Sequence, residues 1–362
     1  MKITKIESWL VSMRLEEPYT ISYETVEVTT NVFLRILTNT HFIGYGCAAP
    51  DEYITGETPD FVMKSIRNVV EPMLIGSDPL RSAMLLERIK DVFPSSPSML
   101  AAVDMALLDI LGKVGQVPLW KLLGGFRDRI KTSITIGIMP EYETIERAKY
   151  WMSQGFKSLK LKGGKNVNED IVKIIKVRET VGKEIELRFD ANQGFSVEET
   201  VEFVEKTRSA NLELIEQPTP KEQLDLLGNV TNAVHIPVMA DESLMTLRDS
   251  FRLAKRNLAD MVNIKLMKVG GISEALQINS VARSAGLEVM VGCMDEAALA
   301  IAAGLAFALA RPNVTYADLD GHIGLVNDPS KNAVILRNGI LFPTNNPGIG
   351  YNMTEKTVSV KL

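Results

Sequence analysis

Residues 157–162, Lys-Ser-Leu-Lys-Leu-Lys, and residues 185–190, Ile-Glu-Leu-Arg-Phe-Asp, decide the fold of this 362-residue chain. Both are short strand-like runs that end on a charged residue, and each is followed by a longer segment of helical period. The unit recurs from about residue 131 onward. Its strand-like runs are Thr132–Ile138, Lys157–Lys162, Ile185–Asp190, Leu212–Glu216, Ile236–Asp241, Asp260–Lys265, Leu287–Cys293 and Val314–Asp320, eight in all. Helical segments lie between them, such as Ser196–Ala210, where Ser196 and Glu199 make a capping box and Val197, Val201 and Val204 mark the apolar face. Eight βα units predict an α/β fold, a TIM-like (β/α) barrel closed on itself, with its chemistry where strands end and βα loops begin.

Residues 1–125 follow another rhythm. Lys2–Ser12, Asn31–Thr38 and Phe42–Cys47 read as an antiparallel meander that turns at Asn39–His41, followed by helices around Asp60–Pro72, Pro79–Val92 and Pro97–Gly112. We therefore expect an α+β capping domain over 1–125 and the barrel over 126–325. Residues 326–362 are too short for a domain and are expected to pack back on the cap.

Composition narrows the function. Forty Lys and Arg against 45 Asp and Glu give a charge of −5, with no basic block to neutralise phosphates, so nucleic acid is not an expected partner. The longest apolar run, Ala297 to Ala310, is short of the ~18 residues that span a bilayer and reads as a buried helix. Lys5 and Glu7 break the apolar start of the chain, and Cys47 and Cys293 have no paired spacing, which fits a reduced, cytoplasmic compartment. His41, His235 and His322 do not cluster, and no G-x-S-x-G, phosphate-loop or dinucleotide pattern occurs. Any chemistry must rest on carboxylates and lysines.

Five consecutive strand runs end on such residues: Lys162, Asp190, Glu216, Asp241 and Lys265, at intervals of 28, 26, 25 and 24 residues. One βα unit per interval brings all five to one rim of the barrel. Singly, each would pass for a helix cap or a solvated charge. Together, three carboxylates on adjacent strands repel one another unless a cation joins them, and an all-oxygen set without His or Cys favours Mg²⁺, with Mn²⁺ as the alternative. In Lys160-Leu161-Lys162 the two amines share one side of a strand, and two like charges should depress the pKa of at least one from about 10.4. Lys162 is the candidate base. Lys265 lies four strands away in a ring of eight and faces it. A carboxylate-bearing substrate held by the metal would lie between two amines, one removing a proton to give an enolate and the other returning one from the opposite face. Racemisation or epimerisation follows. On the last strand, Asp318 and Asp320 share a face away from the metal side and suit an ammonium group.

These residues resemble the enolase superfamily, specifically its muconate-lactonizing-enzyme branch. The resemblance rests on Lys160-Leu161-Lys162, Asp190-Ala191-Asn192, Ile215-Glu216-Gln217-Pro218, Ala240-Asp241-Glu242-Ser243 and Asn263-Ile264-Lys265-Leu266-Met267-Lys268, and the domain order extends it over nearly the whole chain. Asp318-Leu319-Asp320 is similar to the motif by which dipeptide epimerases hold the substrate's α-ammonium group. The resemblance implies that Asp190, Glu216 and Asp241 bind Mg²⁺, that Lys162 and Lys265 are the acid/base pair, and that Lys160 tunes and orients. It also implies that the centre inverted is the Cα of a dipeptide's C-terminal residue.

One departure bears on specificity. Members acting on L-Ala-L-Glu carry an arginine in the first loop of the cap, whereas Leu15–Leu34 here contains no Lys or Arg and offers Glu16, Glu17 and Glu24, with Tyr19 and Tyr23 between them. Asp51, Glu52, Asp295 and Glu296 add to the negative field. We expect a small-molecule dipeptide substrate with neutral, hydrophobic or cationic side chains rather than acidic ones, contacted by Tyr23, Glu24 and Asp295 as well as by Asp318 and Asp320. A cycloisomerase or an o-succinylbenzoate synthase/N-acylamino acid racemase of the same superfamily is the alternative, and a barrel that binds metal and ligand without turnover a more distant one. Homo-oligomers are common among such barrels. His322 and Cys293 lie near the rim without an assigned role.

Overall fold

Three antiparallel strands open the chain, β1 (Ile3–Thr20), β2 (Thr25–Thr38) and β3 (Ile43–Ala48), in a computed structural model that describes residues 1–20 and 25–353. β1 and β2 run well past the expected Ser12 and Asn31. Up to Met13 the buried residues Ile6, Trp9, Val11 and Met13 anchor β1, but beyond it the strand is polar and projects as an arm, Leu15–Thr20 against Thr25–Thr30. On the inner face of this sheet lies the helix Pro97–Val114. It approaches β3 so closely that a Cβ on Gly44 or Gly46 would clash with the carbonyl oxygens of Ala106 and Ala102. Only glycine fits there.

After the short β4 (Ile130–Lys131) come β5 (Ile134–Ile136), β6 (Ser158–Lys162), β7 (Glu186–Asp190), β8 (Ile215–Glu216), β9 (Val238–Ala240), β10 (Met261–Lys265), β11 (Glu288–Gly292) and β12 (Val314–Asp318). Among the described residues, β5 to β12 form one parallel eight-stranded sheet in sequential order, the TIM-like barrel expected from the period of the chain. Closure is lighter than a ladder. Scattered backbone and side-chain bonds make the seam, among them Ser133 N–H to Ala317 O (3.0 Å), Leu319 N–H to Thr132 Oγ1 (2.8 Å) and Thr135 N–H to Asp320 Oδ2 (2.6 Å).

Alternation along each strand explains what faces where. Leu159, Leu161, Leu187, Phe189, Ile215, Ala240, Val262, Ile264, Val289, Val291 and Ala317 pack outward into the core beneath the helices. The residues between them face the barrel axis, where Leu214, Met239, Met261 and Met290 make an apolar plug. Toward the strand ends the same inward face carries Lys160 and Lys162, Asp190, Glu216, Asp241, Lys265 and Asp318. The run Ala298–Ala310 is a wholly buried helix, and no helix of the described residues is long and apolar enough to cross a membrane.

The remaining strands tie the parts together. β13 (Leu325–Val326) pairs with Arg14 and Leu15 of β1, while β14 (Val334–Arg337) and β15 (Ile340–Pro343) form a hairpin that joins β4. Further along, Ile349 N–H donates to Asp109 Oδ1 (2.8 Å) on the helix Pro97–Val114.

Candidate active site

A cavity of about 340 Å³ lies between the barrel rim and the projecting arm of β1. The arm is pinned over it by Glu16 N–H to Gly324 O (2.8 Å), by Ile138 N–H to Thr20 O (2.6 Å), and by Tyr19, whose hydroxyl donates to both carboxylate oxygens of Asp295 at 2.9 Å. Lys160, Lys162, Lys265, Asp295, Asp318 and Asp320 all border this space. Tyr23 and Glu24 lie outside the described residues.

On one side, Asp190, Glu216 and Asp241 are all buried and bring one carboxylate oxygen each to within 4.8 Å of the others. Lys162 Nζ stands 2.8 Å from Asp190 Oδ2, and Lys265 Nζ stands 2.8 Å from Asp241 Oδ2. Burial pushes the Glu216 carboxyl up to about 8; the charges of Asp190 and Asp241 add to it, and Lys160 only partly opposes them. Glu216 Oε2 is buried without a hydrogen-bond partner. An orphaned buried oxygen among three crowded carboxylates is what a divalent cation would satisfy, so the residues present fit one.

Lys160 is tied to both sides of the site. Burial works to lower its pKa, but Asp318, Glu216 and Asp190 outweigh this and hold the ammonium above its ordinary value, so like-charge depression by Lys162 does not govern it. Its Nζ is paired with Asp318 Oδ2 and stands 3.7 Å from Glu216 Oε2 and 3.9 Å from Asp190 Oδ2. Asp318 is therefore not a free partner for an ammonium ligand remote from the metal side. Ser133 Oγ takes its other oxygen (2.6 Å), and Lys160 holds its carboxyl below the usual range despite burial. Asp320 is held differently, by Thr135 N–H (2.6 Å), and burial together with the charge of Asp318 raises its pKa.

The acidic wall is also thinner than the sequence suggests. Glu17 is neutralised by Arg147 of the helix Glu141–Ser153, 130 residues away, and Glu296 turns into its own loop to accept Met294 N–H (2.9 Å). Glu16, Asp51 and Asp295 do border the cavity, and burial raises Asp295 to about 6, with Asp320 and Asp51 adding to the effect. Cys293 accepts Gly321 N–H through Sγ (3.2 Å), and burial keeps its thiol protonated. Burial lowers His322 to about 4.

Sequence reasoning missed the residues that hold these groups. Asn263 Nδ2 donates to Glu216 Oε1 (2.7 Å), Asn192 N–H donates to Asp190 Oδ1 (2.9 Å), and Lys268 bonds Asp241. Asn31 of β2 clamps the loop after β11, donating to Asp295 O (3.0 Å) and accepting Ala297 N–H (2.8 Å). All of these signals were polar residues at positions a core would otherwise fill.

Residues 5–124 match the model of the mandelate racemase / muconate lactonizing enzyme N-terminal domain, and residues 143–357 match the enolase C-terminal domain-like model. An L-Lys-D/L-Arg epimerase of Desulforapulum autotrophicum is 40% identical over 97% of this chain and 99% of its own length. The L-Ala-D/L-Glu epimerase from Bacillus subtilis, solved in a substrate-liganded complex, superposes with a TM-score of 0.94 at 36% identity, covering 97% of this chain and 98% of its own. A dipeptide epimerase from Methylococcus capsulatus, solved with Mg and the dipeptide L-Arg-D-Lys, superposes with a TM-score of 0.92 at 34% identity, covering 97% and 99%. The chain belongs to the mandelate racemase / muconate lactonizing enzyme family of the enolase superfamily, and it is an isomerase.

Proposed function

We propose that this protein is a dipeptide epimerase that inverts the Cα of the C-terminal residue of an L,L-dipeptide by proton transfer between Lys162 and Lys265. The observation that carries it is the arrangement of the two amines. They end strands four apart in the sequential ring, and each is paired with a different outer carboxylate of the buried triad, Asp190 or Asp241, with Glu216 between. A carbon held next to that triad has an amine on either face.

Asp190, Glu216 and Asp241 would hold the divalent ion, Mg²⁺ by their all-oxygen chemistry, with Mn²⁺ as the alternative. When bound, that ion supplies Lewis-acid stabilisation to the charge that develops on the substrate carboxylate. Lys162 and Lys265 exchange roles with direction, the neutral amine removing the Cα proton and the ammonium opposite delivering one. Lys160, locked between Asp318 and the triad, stays protonated and contributes fixed positive charge beside the developing carbanion. Asp320 offers the substrate's α-ammonium group a carboxylate at the other end of the cavity, with Asp318 behind it.

Asp51 and Asp295 set the side-chain preference, which we take to be cationic, neutral or hydrophobic rather than acidic, since an anionic side chain would meet like charge in a partly desolvated space. The L-Lys-D/L-Arg name of one relative and the L-Arg-D-Lys bound by another support the cationic end of that range. Incubation with Mg²⁺ and a library of L-Xaa-L-Yaa dipeptides in D₂O, followed by mass spectrometry, tests it. A one-dalton gain confined to dipeptides with non-acidic Yaa is expected. No gain across the library, with metal shown to be bound, would overturn the epimerase assignment.

A further inference from the structure

Lys268 takes no part in the proton transfers above and does not border the cavity, yet it is a fully buried lysine. It sits in the single helical turn Leu266–Val269 that follows Lys265. Its Nζ donates to Asp241 Oδ1 and to the backbone oxygen of the same residue, and lies 3.3 Å from Asn263 O. Three ammonium protons thus meet three acceptors. From the preceding strand, Gln217 holds the same residue by its backbone. The Gln217 carboxamide oxygen accepts the N–H groups of Asp241 (2.9 Å) and Ser243 (3.1 Å), and its nitrogen donates to Thr219 O and Ser243 Oγ, both at 2.9 Å. Gln217 adopts φ +33°, a left-handed backbone that a non-glycine residue keeps only where its surroundings fix it.

The same pattern runs through the triad. One oxygen of each carboxylate is held by a donor outside the proton-transfer pair, Asp190 Oδ1 by Asn192 N–H, Glu216 Oε1 by Asn263 Nδ2, and Asp241 Oδ1 by Lys268 Nζ, while Lys162 Nζ and Lys265 Nζ stand at the second oxygens of Asp190 and Asp241. Of the three donors to these first oxygens only Lys268 is charged. A carboxylate whose first oxygen is so engaged offers a cation its second oxygen, which Asp190 and Asp241 otherwise turn to Lys162 and Lys265. Mg²⁺ accepts single-oxygen ligands in tight octahedral geometry, whereas Ca²⁺ prefers six to eight oxygens and readily takes carboxylates two oxygens at a time.

We infer that Lys268 is a positioning residue for metal selectivity, restricting Asp241 to one-oxygen coordination and so favouring Mg²⁺ over Ca²⁺. This rests on the proposed metal role of the triad. It is tested by calorimetric titration of metal-free protein with MgCl₂ and with CaCl₂, using wild type, Lys268→Met and Lys268→Gln, with circular dichroism to establish folding. In wild type Mg²⁺ should bind more tightly than Ca²⁺. Lys268→Met should lose 10- to 100-fold in Mg²⁺ affinity, the range seen when groups that orient metal ligands are removed, and proportionately less in Ca²⁺ affinity. Lys268→Gln, which keeps an N–H donor, should recover part of the preference. Equal wild-type affinity for the two ions, or a folded Lys268→Met variant with an unchanged Mg²⁺/Ca²⁺ ratio, would overturn the selectivity role while leaving the metal site standing. Binding of neither ion by wild type would overturn the metal site itself, and this inference with it.

Discussion

The ammonium group of Lys160, on β6, is bonded to the carboxylate of Asp318, on β12, past the intervening β5 at the rim of the barrel. The same ammonium lies within 4 Å of Asp190 and Glu216, so one buried charge links the triad to the opposite side of the cavity. Ser133 extends the link downward, donating to Asp318 Oδ1 while accepting a bond from Arg188 Nη1 (3.2 Å). The triad and the Asp318 end of the cavity are thus one electrostatic unit.

Removing its hub should be costly. Lys160→Met strands Asp318 as a buried carboxylate with only a serine for company and leaves Glu216 more crowded still. Breaking a buried pair from one side costs about 3–5 kcal/mol. Urea denaturation of the metal-free protein should show that loss for Lys160→Met, and a smaller one for Asp318→Asn, because Lys160 then keeps Asp190 and Glu216 as neighbours. Equal losses would mean that the two carboxylates of the triad contribute nothing to holding the lysine.

The two proposed bases should be separable by isotope. If each amine serves one face of the carbon, Lys162→Ala and Lys265→Ala each lose about 10²–10⁴-fold in epimerisation, the usual weight of a general acid or base. Each should still exchange the Cα proton of one epimer in D₂O, and the two variants should favour opposite epimers. Proton NMR of the L,L and L,D dipeptides with each variant reads this directly. Both variants exchanging the same epimer would sink the two-base assignment.

Much of this site was legible because barrel geometry converts sequence period into convergence. Lys162, Asp190, Glu216, Asp241 and Lys265 each end a strand-like run one βα unit after the last, and alternation alone fixes which side of the sheet they face. What was illegible depends on contacts between distant stretches. Nothing near Lys160 in sequence announces Asp318, and the acidic arm of β1 gives no sign that Arg147 will neutralise Glu17. The arm itself escaped notice for a related reason. Leu15–Thr20 and Thr25–Thr30 are exposed or half-buried strands with no fully buried residue, held by backbone bonds to the barrel rim, so they lack the apolar alternation by which a strand is recognised. Lys268 and Asn263 lay inside a quoted motif, but their work is to hold other side chains, which spacing does not reveal.

Stability should carry a pH signature from a joint between the cap helix and the barrel. Asp104 on Pro97–Val114 is fully buried and accepts Ser273 N–H (2.9 Å) and Ser273 Oγ–H (2.6 Å) at the start of the helix Ile272–Ser284. Burial raises its pKa to about 6, and the bonds from Ser273 only partly offset this. An acid whose folded pKa exceeds its unfolded value of 3.8 binds its proton more tightly in the folded state, so it favours folding below that value and loses this advantage as pH rises to about 6. A shift of roughly two units corresponds to about 3 kcal/mol between pH 4 and pH 7. Chemical denaturation across that range should show a flatter decline with rising pH for Asp104→Asn than for wild type. Parallel curves would remove Asp104 from the account.

Specificity offers the most direct test of how the cap arm works with the barrel. Asp295 faces the cavity with its carboxylate held by the Tyr19 hydroxyl and its backbone held by Asn31, so its position is set by the cap although it belongs to the loop after β11. If it meets a cationic C-terminal side chain, Asp295→Asn should lower kcat/KM for an L-Xaa-L-Lys substrate relative to its L-Xaa-L-Leu counterpart by about 10–100-fold, the 1.5–3 kcal/mol of a charged hydrogen bond. The ionised form is the one required. Because burial raises Asp295 to about 6, it is neutral below that pH and anionic above it, so the Lys/Leu ratio of kcat/KM in wild type should climb through pH 6 and level off above pH 7. In Asp295→Asn the ratio should be flat over the same range. A wild-type ratio that does not change with pH, alongside a variant that still prefers lysine, would move the source of selectivity to Asp51 on the other wall of the cavity.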